Sequence, residues 1–244
     1  MKKFLTLVSC VLLFTAVQAQ EKRGAAPKRD LPGIKACMLT AQQNLPLFTQ
    51  SLADPSQAHD VNSIIKDIEL YIDSMPKSKT YSDELLMKHF APLRHFFLTT
   101  TNKTTVAAEF LYTDAPYRFC MYNDTALALY IWAVKDGDTY NLSKMTEKHV
   151  AKLAFENCLL PSLAALDEFK DNDIKYIALS IYYGCKDTRE GAPGVAAVPY
   201  CLTLVARLTD IQQFAAGLIT AKGLMANAEV YLADADDLRR ILVE

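Results

Sequence analysis

Four histidines, His59, His89, His95 and His149, are the side chains best suited to proton transfer or metal ligation near neutral pH. Their spacing supports neither role. His89 and His95 are six residues apart, so on one helix they point to different sides and cannot hold a metal as an i, i+4 pair does. No H-E-x-x-H motif and no G-x-S-x-G elbow occurs. A zinc site or Ser-His-Asp triad would have to be assembled from residues distant in the chain, because triads are defined by geometry. On spacing alone the histidines read as surface or core-edge residues. No catalytic, cofactor-binding or metal-binding residue is assigned.

The cysteines are the next candidates. Beyond Cys10 the chain carries Cys37, Cys120, Cys158, Cys185 and Cys201, with no C-x-x-C spacing for a redox pair or a zinc knuckle. An odd count leaves one thiol free or joined to another molecule. Cys185 and Cys201 flank a turn around Gly191-Ala192-Pro193-Gly194, and a bridge there would add ~3 kcal/mol in the chain-entropy account. Alternation argues against it. Cys185 shares a face with Ile177, Leu179, Ile181 and Tyr183, whereas Cys201 lies opposite the apolar set Val198, Tyr200, Leu202, Leu204 and Ala206. Only a slipped register or a bulge would bring the two sulfurs together.

Three acidic clusters, Asp136-Gly137-Asp138, Asp171-Asn172-Asp173 and Asp234-Ala235-Asp236-Asp237, lack the ligand pattern of a calcium loop and fall where turns are expected. The twelve tyrosines and the single Trp132 could form aromatic platforms, but most sit on strand-like stretches, where tyrosine is favoured in any case.

The elements that must position these groups follow from periodicity. Ile34, Met38, Ala41, Leu45, Phe48 and Leu52 predict a first helix that Pro46 kinks or divides. Asp54-Pro55-Ser56-Gln57 is a helix start whose stripe is Val61, Ile64, Ile65, Ile68, Ile72 and Met75. A third helix begins near Ser82-Asp83-Glu84, with Pro92 inside it. Alternation then predicts a three-stranded meander: Val106 to Tyr112, Tyr117 to Tyr122, and Ala126 to Lys135, the last ended by an Asp136-Gly137 turn and covered on both faces. A long helix, roughly Lys144 to Lys170 and kinked at Pro161, leads to hairpin strands near 174–186 and 197–208. Thr209-Asp210-Ile211-Gln212 reads as a capping box, Thr220 as a further cap, and Glu229 to Leu232 as a last short strand. The fold class is therefore α+β: N-terminal helices, then an antiparallel sheet of about five or six strands with a long crossing helix.

The first nineteen residues carry the most specific signal. Lys2 and Lys3 precede an uncharged run from Phe4 to Val17, and Val17-Gln18-Ala19 places small residues at the −3 and −1 positions of a cleavage site. Residues 1–19 read as a secretory signal peptide cut after Ala19, residues 20–33 as a flexible leader, and residues 34–244 as one α+β domain, helical over 34–98 and sheet-rich over 104–244. Leu7-Val8-Ser9-Cys10 resembles a lipobox. The apolar stretch before Cys10 is short for a lipoprotein signal, and the run continues past it, so the soluble reading is preferred.

The 244 residues are 51% hydrophobic with net charge −2, which excludes a disordered chain and gives no broad basic surface for nucleic acid. The expectation is a bacterial, periplasmic or secreted protein with no transmembrane segment after cleavage. It would be a non-catalytic protein that binds a small molecule or a protein partner in the cell envelope. The alternatives are a secreted hydrolase built from scattered residues, with His89 and His95 as candidates, or a structural or assembly factor linked through the odd cysteine.

Overall fold

A computed structural model of the chain describes residues 31–46, 58–59, 61–76, 79–100, 106–107, 116–169, 173–186 and 197–243. At 58–59, 61, 106–107, 132–139 and 197 only the backbone is described. The expected signal peptide, most of the leader, and the start signal Asp54–Gln57 lie outside these residues. The elements below belong to one compact unit, Pro32–Glu244.

Helix α1 spans Ile34–Gln43 and buries Ile34, Met38 and Ala41, as their spacing predicts, and Cys37, which the stripe did not include. Strand β1 (Ala58–His59) precedes helix α2 (Val61–Ser74). The α2 helix thus begins later than Pro55 implied. The backbone of Ala58 and His59 pairs instead with Val106 and Ala107, which form β2, and a residue in that ladder cannot also open a helix.

Helix α3 spans Tyr81–Thr100. It is opened by a reciprocal box: the Asp83 N–H donates to Thr80 Oγ1 at 3.2 Å, and the Thr80 N–H donates to Asp83 Oδ2 at 2.9 Å.

Six strands form the main sheet in spatial order β3 (Tyr117–Tyr122), β4 (Ala126–Asn141), β5 (Tyr176–Lys186), β6 (Ala197–Arg207), β7 (Glu229–Ala233) and β8 (Leu238–Ile241). The α+β class stands, but the sheet is mixed rather than antiparallel, because β4 and β5 run parallel. The chain leaves β4, crosses through the helical stretch 147–166 and returns in the same direction, as a crossover connection requires.

Two further strand expectations change. Val106 to Tyr112 does not form the first strand of a meander: Val106 and Ala107 pair with β1, and 108–115 lie outside the described residues. Asp136-Gly137 does not end β4 either. The strand continues to Asn141, and between Lys135 and Thr139 its register slips against Tyr182 and Gly184, so extra residues are absorbed as a bulge. At the β3–β4 turn, Asn123 (φ 49°) and Asp124 (φ 56°) are left-handed, the conformation that short Asn and Asp side chains best tolerate.

The long crossing helix is segmented. Helix α4 (Glu147–Ala154) passes into a π turn at Phe155–Leu159, then α5 (Leu160–Leu163) and a 3-10 turn at Ala164–Leu166. Pro161 lacks an N–H, and its ring excludes the normal carbonyl four residues earlier; a π turn just upstream accommodates both. Helix α6 (Leu208–Ala215) follows β6 directly. Thr209 therefore does not cap it. The Leu208 N–H is already satisfied by the Lys175 carbonyl at 2.9 Å, and Gly217, at φ 72°, closes the helix. Thr220 does cap α7 (Ala221–Met225), accepting from the Gly223 N–H at 3.2 Å.

Both sheet faces are covered. One face carries Leu129, Ile177, Leu179, Leu202 and Leu204, all fully buried or nearly so. The other carries Tyr130, Ala178, Tyr182, Cys201 and Val205, and packs against α1. Two-sided burial explains why β5 is buried at every position from Ile177 to Cys185 rather than alternating.

Candidate functional site

The histidines do not converge. His89 is buried, its ring 6.0 Å from that of Phe119 and 6.4 Å from that of Phe169. His95, two turns along the same helix, points outward, with Nδ1 3.3 Å from Glu168 Oε1 and Nε2 3.3 Å from Thr99 Oγ1. The His59 side chain is not among those described, and His149 is exposed. Among the described residues no group of three or more His, Cys, Asp or Glu side chains is gathered as a metal ion would need.

Cys185 faces Val198 and Cys201 faces Tyr182 across the β5–β6 pair, so the two sulfurs lie on opposite faces of the sheet and no disulfide joins them. Burial, with the negative charge of Glu147, pushes the Cys185 thiol up to about 12. Burial pushes Cys201 up to about 11 against hydrogen bonds that favour its thiolate. A cysteine nucleophile requires the opposite displacement.

The acids serve turns and ion pairs. Asp234 Oδ1 accepts from the N–H groups of Asp236 and Asp237, each at 2.9 Å, which closes the β7–β8 turn. Arg239 ties this turn to the start of α4, binding Asp234 Oδ2 at 2.8 Å, Asp237 Oδ2 at 3.3 Å and Glu147. Asp173 pairs with Lys88 at 2.5 Å.

Two hollows remain. The larger, about 490 Å³, lies beside α1 and is lined by Lys35, Asn123, Asp124, Glu229 and Arg240 among others. Its principal charges already pair, Arg240 Nη1 lying 3.1 Å from Glu229 Oε1. The second, about 350 Å³, lies between α2, α3 and the start of β3. Its apolar wall is Ile64, Ile68, Leu86 and Pro116, and its polar groups are Asp67, Tyr71, Ser82, Asp83, Tyr117 and Arg118. An apolar floor with a few convergent polar groups is the usual make-up of a small-molecule site.

Asp83 is the organising group. The residue is 7% exposed, and its carboxylate accepts from Tyr71 Oη at 2.8 Å and holds the α3 cap. Burial raises its pKa, but the Thr80 and Tyr71 hydrogen bonds and the charge of Lys79 outweigh it, leaving the carboxyl below its ordinary value. Burial, then the charges of Tyr71 and Asp83, drive Tyr117 well above the usual phenol range, so it stays neutral. The pocket thus presents a carboxylate and neutral phenols against an aliphatic wall.

Sequence reasoning placed Asp83 only as a helix-start acid. The signal for the box was Thr80-Tyr81-Ser82-Asp83, a hydroxyl residue three before an acid, and nothing local linked it to Tyr71 or Tyr117. No family model matches this chain, and neither a curated protein nor a solved structure does. Among the described residues no helix is long and apolar enough to cross a membrane.

Proposed function

We propose that the chain is an exported, non-catalytic binding protein whose ligand sits in the hollow between α2, α3 and β3. The observation that carries this reading is the mixed lining: Ile64, Ile68 and Leu86 on one side, the buried Asp83 carboxylate with Tyr71 and Tyr117 on the other. A carboxylate offers about four lone-pair positions, and Tyr71 and Thr80 take two, so Asp83 keeps acceptor capacity for a ligand. The ligand class is a small amphipathic molecule with an apolar body and a donor-bearing or cationic end, directed at Asp83 and Asp67. The volume lies at the lower end of ordinary ligand sites.

Two rival readings draw less support. A hydrolase centred on His89 and His95 conflicts with their divergent settings. An assembly factor tethered by a cysteine conflicts with the burial of Cys37, Cys120, Cys158, Cys185 and Cys201, which closes each to a partner's thiol.

Export rests on the sequence of residues 1–19 and is tested by N-terminal sequencing of protein from its own host. A start at Gln20 is expected, whereas a start at Met1, or lipid on Cys10, overturns it. Binding is tested by native mass spectrometry of the same material beside a Ser82→Trp variant, because Ser82 is exposed at the mouth of the hollow. A small molecule retained by the wild type and lost from the variant is expected, with circular dichroism unchanged. No retained molecule, or equal retention by the variant, overturns the site.

A further inference from the structure

Cys37 and Cys120 lie 83 residues apart in the chain, one on α1 and one on the edge strand β3, with no spacing to link them. The fold makes them neighbours. The Met121 N–H donates to the Pro32 carbonyl at 2.9 Å, and Gly33 bridges Met121 in parallel, which fixes the entry of α1 against the end of β3. One turn into α1, Cys37 then joins Cys120 in one buried cluster, close enough that the Cys37 thiol, with burial, pushes the Cys120 thiol up. They are 1% and 0% exposed within the same cluster.

We propose that Cys37 and Cys120 close a disulfide that staples α1 to the edge of the main sheet. Each thiol loses its proton, a bond forms between the two sulfurs, and the two electrons pass to an acceptor disulfide of the exporting compartment. One cysteine first forms a mixed disulfide with the acceptor, releasing one acceptor thiol; the other cysteine displaces the second. Both sulfurs are covered once α1 is seated, so the exchange takes place while α1 is still undocked. The finished bond is then shielded from reductants. Cys185 and Cys201 cannot compete for each other, since the sheet separates them. The proposal depends on export only for the origin of the oxidant, and not on the ligand site.

The test uses full-length chain refolded from the reduced, unfolded state with oxidised and reduced glutathione, so that it does not depend on where the protein resides. After alkylation and digestion, a peptide pair joined through Cys37 and Cys120 is expected. Intact mass should fall by two hydrogens, and Tm should rise by on the order of 10 °C over the reduced form. Cys120→Ser and Cys37→Ser should each fold to the reduced Tm and lose the oxidant-dependent rise. Alkylated thiols at both positions in the refolded wild type, or Cys37 joined to Cys201 instead, overturns the proposal. This readout needs no variant and survives a failure of either serine form to fold.

Discussion

Tyr71 Oη donates a 2.8 Å hydrogen bond to Asp83 Oδ1 across twelve residues of chain, joining the last turns of α2 to the first turn of α3. The same carboxylate caps α3 through Thr80, so one side chain fixes both the start of a helix and its partner. Tyr71 is 49% exposed, which places this bond at the weaker end of buried-group energetics. Tyr71→Phe should therefore cost about 0.5–1 kcal/mol in urea denaturation. No measurable loss would mean that the ring, which phenylalanine keeps, rather than the hydroxyl holds the two helices.

Asp83 gives the fold a dependence on acid. Its folded pKa lies below the ordinary 3.8, so its contribution is fully present above that value and is lost as pH falls through the lowered folded value. Tyr71 works in the opposite sense: its phenol is raised above 10.0, chiefly by the bond to Asp83, so its contribution fades as pH climbs past 10.0. Asp83→Asn should cost about 1 kcal/mol at neutral pH, a typical cap value, and the gap to wild type should close under strong acid. Thermal melts from neutral to acidic pH read this directly; a gap independent of pH removes the charge from the account.

Under α1 lies a row of hydroxyls: Tyr130 Oη is 2.6 Å from Ser180 Oγ, which is 2.5 Å from Thr203 Oγ1. All three residues are buried. Ser180→Ala should cost about 1–3 kcal/mol, because it strips a partner from both neighbours. Adding Thr203→Val should cost less than the sum of the two single changes, since the second removes a hydroxyl that has already lost its shortest bond and keeps the weaker one to Cys201 Sγ at 3.9 Å. Additive losses in equilibrium denaturation would show that the three hydroxyls do not act as a unit.

Arg239 sits among Glu147, Asp234 and Asp237 and holds the β7–β8 turn to the head of α4. Its side chain is a third exposed, so screening matters. Arg239→Met should lower Tm by a few degrees in dilute buffer, and by less in molar salt, where the wild-type pairs are themselves weakened. An equal drop at both ionic strengths would assign the loss to packing of the arginine stem.

Much of the frame was legible in the sequence. The apolar stripes of α1 and α2, the β5–β6 hairpin and the placement of Cys185 opposite an even-numbered residue follow from periods of 3.6 and 2. What failed depended on distant partners. Lys135 to Thr139 contains an Asp-Gly pair that reads as a turn, yet the long strand β5 offers a ladder that carries β4 through it. Thr209 has the letters of a cap, but Lys175 takes the backbone group next to it. The candidate site was the least visible part, since Tyr71, Asp83 and Tyr117 belong to three elements and each looks ordinary alone.

The docking of α1 has a consequence for biogenesis. Its apolar stripe leaves the ribosome before any of the strands it covers, and Val205 and Ala233 of its seat come some 170 to 200 residues later. Until then Ile34, Met38 and Ala41 have at most the part of their seat that Cys120, Ala128, Tyr130, Ala178 and Tyr182 supply, and a half-seated greasy helix invites holdase chaperones and self-association. The first of the described helices to be made must wait for Val205 and Ala233 before its seat is complete, so nascent-chain protection, more than intrinsic folding speed, should govern yield.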